Sequence, residues 1–177
     1  MENKSSVYKI AIIGVMTAVI CILGPLSIPI GVVPISFTNL AIFFALYALG
    51  MKKGTVSYII YMLIGFIGIP VFSGFTGGPA KLFGPTGGYI IGFIFMALIA
   101  GFFIDRFFEK PALCFTGMVL GAAVSNTLGT LWLSYQAGMP ASAALAAGVI
   151  PFIPGDLIKI SIAAFAGPQI RKQLAHI

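Results

Sequence analysis

Charged residues are what this sequence contains least of: Asp, Glu, Lys and Arg make up 8% of the 177 residues, and only four residues are acidic. Soluble domains carry about 25% charged residues, and a domain with far fewer would expose large apolar patches to water. This chain is 59% hydrophobic, with a mean hydropathy of +1.09. The composition therefore excludes a soluble enzyme, a disordered chain and a nucleic-acid-binding module, and it indicates an integral membrane protein.

Side chains that build catalytic and metal centres are also scarce. The chain has one histidine and two cysteines, and Cys21 and Cys114 both lie in apolar runs without a C-x-x-C spacing, so neither a metal site nor a disulfide framework is indicated. The sequence has no G-x-x-x-x-G-K-S/T segment, which excludes ATP binding of the P-loop kind. Paired carboxylates are hard to assemble from four acids. We therefore predict that the chain is not an enzyme and uses no cofactor.

Long apolar runs fill most of the chain. Each membrane-spanning helix needs about 20 apolar residues, so the length allows six short spans and no second domain. The first run follows two lysines and could mimic a secretory signal, but it lacks a small-x-small cleavage pattern, and we interpret it as a retained helix. We predict one all-α transmembrane domain over residues 1–177, with spans at about 8–24, 37–51, 54–69, 87–104, 111–136 and 155–171.

Basic residues set the predicted orientation. With the N-terminus in the cytoplasm, Lys81 is the one basic residue in an outer loop and Lys159 lies inside a span. All the other basic residues fall on the inner side: Lys4, Lys9, Lys52, Lys53, Arg106, Lys110, Arg171 and Lys172. This is a strong positive-inside pattern, and it predicts that both termini are cytoplasmic.

The predicted outer segments, residues 25–36, 71–86 and 138–154, are rich in Gly and Pro and nearly uncharged. Irregular backbone at membrane depth is tolerated only where it packs in protein or lines a cavity. We therefore predict that these segments fold over the outer mouth of the bundle and cap a ligand pocket.

Asp156 and Lys159 are the ionisable pair that the six-span interpretation places in or beside the membrane. Three residues apart, they share one face of a helix, and charges at such depth are expected to face the bundle interior and to be paired or liganded. Two interpretations stay open. The pair is either a helix cap that holds the outer loop or a ligand site with a carboxylate acceptor and an ammonium donor.

Other polar and aromatic candidates carry two interpretations each. Asn126 and Asn39 are either interhelical hydrogen-bonding residues or ligand contacts. Trp132 either belongs to the interfacial aromatic belt or stacks on a ligand. Gly87 and Gly88, just before Tyr89, allow close backbone approach to a ligand or to another helix.

Small residues four positions apart mark close helix packing. Most such pairs are expected to pack inside the bundle, whereas Gly14 and Ala18 in the first helix could face another subunit. The pairs inside the bundle are Gly88 with Gly92 and Gly117 with Gly121.

Two segments give the sequence a specific likeness to a known family. They are Gly84-Pro85-Thr86-Gly87-Gly88-Tyr89 with Gly92-Phe93, and Pro151-Phe152-Ile153-Pro154-Gly155-Asp156 with Lys159; residues 70–74 and 129–133 support them. Over nearly its whole length the chain resembles the BioY family, the biotin-specific substrate-binding (S) components of energy-coupling factor (ECF) transporters. The resemblance implies the six-span S-component fold.

The resemblance also implies roles for individual residues. Asp156 would bind the ureido N–H groups of biotin, and Lys159 would bind either the ureido carbonyl or the valerate carboxylate. Gly87, Gly88 and Tyr89 would contact the ligand closely. Asn39 stands where relatives often have Gln.

The partners implied by the resemblance are a transmembrane (T) subunit, met by the face of Gly14 and Ala18 in the first helix, and two cytosolic ATPases. Together they would drive high-affinity biotin uptake across the plasma membrane of a prokaryote. Two rival hypotheses are an S component for another vitamin and a structural membrane protein in which Asp156 and Lys159 form only an internal clamp.

Overall fold

The fold is almost entirely helical. A computed structural model describes residues 2–29 and 33–174, with side chains from residue 7 onward. Two short strands, β1 (Ser27–Ile28) and β2 (Ile35–Ser36), interrupt the series of helices. The helices in chain order are α1 (Glu2–Leu23), α2 (Thr38–Phe66), α3 (Pro79–Leu82), α4 (Gly87–Arg106), α5 (Pro111–Ala137), α6 (Ala141–Gly148) and α7 (Phe152–Leu174).

Three of the described helices, α2, α4 and α5, are long and apolar enough to cross a membrane. A fourth span is reached if α6 and α7, which meet at a bend of 41°, are counted as one. The apolar part of α1, Val7–Leu23, is shorter than this criterion requires. The all-helical prediction is therefore confirmed, whereas the count of six spans stays a prediction.

Helix α2 reverses direction at Gly50. Its φ of 76° and ψ of 175° are non-helical, and a glycine adopts this conformation without a Cβ penalty. An unbroken helix would separate Thr38 from Tyr61 by about 35 Å. Both instead reach Gly24: the Thr38 hydroxyl lies 3.5 Å from its carbonyl oxygen, and the Tyr61 hydroxyl lies 2.7 Å from the position of a Cβ on it. The two arms of α2 therefore run side by side, and they correspond to the predicted second and third spans.

Several predicted boundaries differ from the structure. The interruption in α2 lies at Gly50 rather than at Lys52 and Lys53. The predicted irregular segment 25–36 contains an antiparallel pairing of β1 with β2, and its residues 30–32 lie outside the described part of the chain. Helix α7 begins at Phe152 rather than at Gly155, because Pro154 then falls in the first turn, where a helix needs no N–H donor.

Helices α4 and α5 form the tightest pair, and glycines make the close approach possible. A Cβ on Gly117 would lie 2.2 Å from the Cβ of Phe103, and one on Gly121 would lie 2.9 Å from the Met96 carbonyl oxygen. A Cβ on Gly92 would crowd Ser125 at 3.0 Å. The internal packing predicted for these glycines is confirmed.

Asp105 joins three elements at the opposite end of the bundle from β1 and β2. Its Oδ2 accepts a hydrogen bond of 2.8 Å from the Met51 N–H, directly after the Gly50 reversal. Its Oδ1 lies 3.1 Å from the Arg171 guanidinium on α7, which also covers the Phe108 ring at 4.6 Å. The end of α4 is thereby fixed to the reversal in α2 and to the end of α7.

A Gly117→Ala substitution is expected to destabilise the protein by about 1–3 kcal/mol, the usual cost of overpacking a tight interior. The lowered thermal unfolding temperature would be measured by circular dichroism in detergent. The control is Gly14→Ala, because a Cβ there meets nothing within 4 Å. Equal unfolding temperatures for the two variants would contradict the close α4–α5 packing.

Candidate binding site

The Asp156 carboxylate connects three helices in the interior. Asp156 lies in the second turn of α7 and is buried, with 8% of its surface exposed. Its Oδ1 accepts a 2.8 Å hydrogen bond from Asn39 Nδ2 on α2, and its Oδ2 accepts one of 3.1 Å from Asn126 Nδ2 on α5. Helices α2, α5 and α7 are therefore linked through one charged group.

The Lys159 ammonium completes this group one turn along α7. Its Nζ lies 3.0 Å from Asp156 Oδ1 and donates to the Ser36 carbonyl oxygen on β2 at 3.1 Å. Lys159 is also buried, and removing a charge from water costs several kcal/mol unless a counter-charge and hydrogen bonds compensate. The pair is compensated in this way, which is why both residues can lie inside an apolar bundle.

A cavity of about 70 Å³ opens beside the pair. Asp156, Lys159 and the two asparagines form its polar wall. Backbone and side chains of β2 and the first turn of α2 form a second wall, and aromatic rings form the third. The other lining residues are Val33, Pro34, Ile35, Ser36, Thr38, Tyr58, Tyr61, Phe72, Ser73, Thr86, Tyr89, Ile90, Phe93 and Phe152.

The tyrosines of the aromatic wall are held by hydrogen bonds from their hydroxyls to backbone carbonyl oxygens. The hydroxyl of Tyr58 donates to the Ile90 carbonyl oxygen at 2.6 Å, that of Tyr61 to Val71 at 2.9 Å, and that of Tyr89 to Gly148 at 2.9 Å. Each tyrosine therefore presents ring surface rather than a free hydroxyl. The cavity combines a fixed carboxylate and amides on one side with preorganised aromatic surface on the other, which suits a flat polar ring.

Five of the predicted ligand-binding residues meet at this cavity: Asn39, Tyr89, Asn126, Asp156 and Lys159. Helices α2, α4, α5 and α7 each contribute to the group. The sequence placed these residues in separate spans, and the structure brings them together.

Gly87, Gly88 and Trp132 do not line the cavity. A Cβ on Gly88 would lie 2.2 Å from the Trp132 Cβ, and one on Gly87 would lie 1.7 Å from the Leu82 carbonyl oxygen. The indole Nε1 of Trp132 donates to the Gly84 carbonyl oxygen at 2.9 Å. These three residues pack α4 against α5 and α3, beside Tyr89, and their contact with a ligand stays a prediction.

Sequence reasoning missed Tyr58, Tyr61 and Thr38. Two tyrosines three positions apart in an apolar span are a usable signal, because a buried tyrosine hydroxyl needs a hydrogen-bond partner. No sequence pattern shows that the Gly50 reversal brings them back beside Thr38. On α1, Gly14 and Ala18 are exposed and lie away from the cavity.

A second, more apolar groove of about 410 Å³ lies between α5, α6 and α7. It shares Asn126 and Asp156 with the cavity, and these two residues are joined by the hydrogen bond of 3.1 Å. The groove hydroxyls of Thr127 and Ser134 are bound to the Ala123 and Met139 carbonyl oxygens, and this space offers little polar recognition.

Comparisons with known proteins agree on one family. The BioY family model matches residues 1–176. The biotin transporter BioY2 of Lactococcus lactis subsp. cremoris is 34% identical over 176 residues, which cover 99% of this chain and 96% of that protein. The biotin transporter BioY of Thermotoga maritima is 36% identical over 159 residues, which cover 90% of this chain and 93% of that protein.

A crystal structure of the S-component for biotin from an ECF-type ABC transporter has the same fold. Its TM-score is 0.89 at 35% identity, with 97% of this chain and 95% of that chain covered. The fold and the polar, aromatic-lined cavity thus define a helical membrane protein of the ECF S-component class, a transport component rather than an enzyme. The chain belongs to the BioY family.

The Asp156–Lys159 pair is expected to show strong coupling in stability. Asp156→Leu leaves a buried ammonium without its counter-charge, and breaking one side of such a pair costs about 3–5 kcal/mol. The double variant Asp156→Leu/Lys159→Met is expected to be more stable than Asp156→Leu alone. Thermal unfolding in detergent measures this difference, and additive losses would show that the two charges do not depend on each other.

Proposed function

We propose that this protein binds biotin and serves as the S component of an ECF-type transporter. The observation that carries the proposal is the buried Asp156 carboxylate, fixed by three donors at the edge of an aromatic-lined cavity. The biotin transporters among its relatives, and the shared fold, support the choice of ligand.

The chemistry of the ligand matches the two walls of the cavity. Biotin's bicyclic ring offers two N–H donors, one carbonyl and an apolar thioether face. An ionised carboxylate has about four acceptor positions, and three are occupied, so one ligand N–H can bind Asp156 Oδ2 directly. The second N–H points away from the first, because the two N–H bonds of a cyclic urea diverge, and it therefore needs another acceptor, which the amide oxygen of Asn126 would supply if that amide turned.

Selectivity follows from the same arrangement. An analogue without the ureido N–H groups would displace an amide from Asp156 without replacing its hydrogen bond, and a buried charged acceptor left unpaired is costly. Lys159 supplies the positive charge for a ligand oxygen, either the ureido carbonyl or the valerate carboxylate. The three tyrosine rings and Phe93 would pack on the apolar face of the ring system.

We also propose the membrane topology and the partners. Six spans, with the two arms of α2 counted separately, would place the cavity toward the outer side and both termini in the cytoplasm of a prokaryotic cell. A T subunit would contact α1 at Gly14 and Ala18, where the side-chain surface is open. Two cytosolic ATPases would supply the energy, because this chain has no P-loop.

Calorimetric titration of biotin into the detergent-purified protein tests the ligand. We expect one-to-one binding that weakens at least about tenfold, or about 1.4 kcal/mol, in Asp156→Asn and in Lys159→Ala. Asp105→Asn is the matched control, because Asp105 forms an ion pair of similar length outside the cavity. Binding by a folded wild type that is unaffected at both positions would contradict the proposed site.

No biotin binding by the folded wild type would contradict the ligand assignment. A competition panel of other vitamins then tests the rival S-component function. Failure of every vitamin would favour the structural clamp, under which the paired Leu and Met substitutions should leave the protein's function intact.

Thiol labelling in whole cells tests the topology. In a background with Cys21→Ala and Cys114→Ala, Ser142→Cys on α6 is expected to react with a membrane-impermeant maleimide added outside. Lys52→Cys, at the Gly50 reversal, is expected to react only after permeabilisation. Both positions are exposed on the protein surface, so a difference in labelling reports the side of the membrane rather than burial. The opposite labelling would invert the topology.

A further inference from the structure

The turn at residues 72–76 has one side chain in the core and another on the outside. Phe72 and Thr76 exchange backbone hydrogen bonds of 2.9 and 3.3 Å. Phe72 is 1% exposed, lines the cavity and meets the Tyr61 ring edge-on at 5.7 Å. The Gly74 N–H donates to the Pro25 carbonyl oxygen at 2.9 Å. The turn is therefore a fixed part of the cavity wall, with its tip directed outward.

Phe75 at this tip is strained and exposed. Its φ of 56° makes it the one non-glycine residue with a positive φ in the described part of the chain. The left-handed conformation costs about 1–2 kcal/mol for an ordinary side chain. Phe75 is 66% exposed, so packing within the chain does not compensate this cost. An aromatic ring kept in a strained position without internal packing indicates a function outside the protein.

The surrounding segment has the composition of a membrane-interface surface. Between α2 and α4, Ile67 is 73% exposed, Ile69 47% and Phe83 60%. Lys81 is the one charged residue from 67 to 86. Partial burial lowers the pKa of Lys81, because its apolar surroundings disfavour the ammonium. This segment therefore combines exposed aromatic and apolar side chains with a lysine, and it contains no acidic residue. Such a combination fits the headgroup region of a bilayer, where lipid phosphates carry negative charge.

We infer that Phe75 and Lys81 anchor the wall of the binding cavity to the outer headgroup region of the membrane. The inference rests on the proposed topology, which places this segment at the outer surface. Phe75 lies among the headgroups and the first carbons of the acyl chains, and Lys81 lies beside lipid phosphates. Through Phe72, in the same turn, the lipid contact is transmitted to the cavity.

Fluorescence quenching tests the anchor. Trp132 is the single tryptophan of the chain, so Phe75→Trp is placed in a Trp132→Phe background and reconstituted in phosphatidylcholine vesicles brominated at shallow or deep acyl positions. The calibration variant is Phe165→Trp in the same background, because Phe165 lies within α7 and is 78% exposed. We expect stronger quenching by shallow bromines for Phe75→Trp and by deep bromines for Phe165→Trp.

The two variants separate two kinds of failure. A Phe75→Trp protein that neither lipid quenches, beside a quenched Phe165→Trp protein, overturns the anchor and leaves the topology intact; the loop then faces water or a protein partner. If neither variant is quenched, the membrane topology itself fails, and the anchor fails with it.

Phe75→Asn tests the connection to the cavity. Asn adopts the left-handed conformation readily, so the turn should persist and the detergent-solubilised variant should unfold at or above the wild-type temperature. We expect its biotin affinity to equal that of the wild type in detergent and to be about threefold or more weaker in vesicles. If phosphatidylglycerol, an anionic lipid, is added to the vesicles, the quenching of Phe75→Trp is expected to increase. Lys81→Gln is expected to abolish this increase. Equal affinity of Phe75→Asn and wild type in vesicles would overturn the transmission to the cavity.

Discussion

The buried ion pair of Asp156 and Lys159 is the interaction on which the arrangement of the polar site depends. Neither charge is stable alone in an apolar bundle. Their mutual contact, with donors from Asn39 and Asn126 and an acceptor on Ser36, joins α2, α5, α7 and β2. The requirement to compensate two charges therefore selects which helix faces meet, and the cavity lies where these faces meet.

The helical packing supports this arrangement from a second side. Glycines let α4 approach α5 closely, and Gly88 against Trp132 fixes the end of α4 that carries Tyr89. At the far end, Asp105 attaches α4 to the Gly50 reversal and to α7. The residues that shape the cavity are thus held by contacts at both ends of the bundle, outside the cavity itself.

Much of the fold and part of the site could be predicted from the sequence. Hydropathy gave the helices, because an apolar run long enough to span a bilayer is a strong signal. Asp156 and Lys159 were identifiable because a charged side chain inside an apolar run is costly unless it is paired or binds a ligand. The position of the reversal at Gly50 was missed. The prediction placed the end of the span at Lys52 and Lys53, because charged residues mark the end of an apolar run only to within a few residues. Tyr58 and Tyr61 were missed because their place at the cavity depends on that reversal. The two interpretations of Trp132 could not be separated from the sequence, because an aromatic residue packs on a helix or a ligand by the same chemistry.

The three tyrosine hydroxyls that donate to backbone carbonyl oxygens have a consequence for hydration. Because the protons of these hydroxyls are already used, water beside the aromatic wall would find few hydrogen-bond donors and would be poorly ordered there. Displacing such water with an apolar group releases it at little enthalpic cost. Removing water from the ring-lined side would thus favour a ligand that enters the cavity, whereas water bound at the carboxylate would be displaced only by a group that replaces its hydrogen bonds.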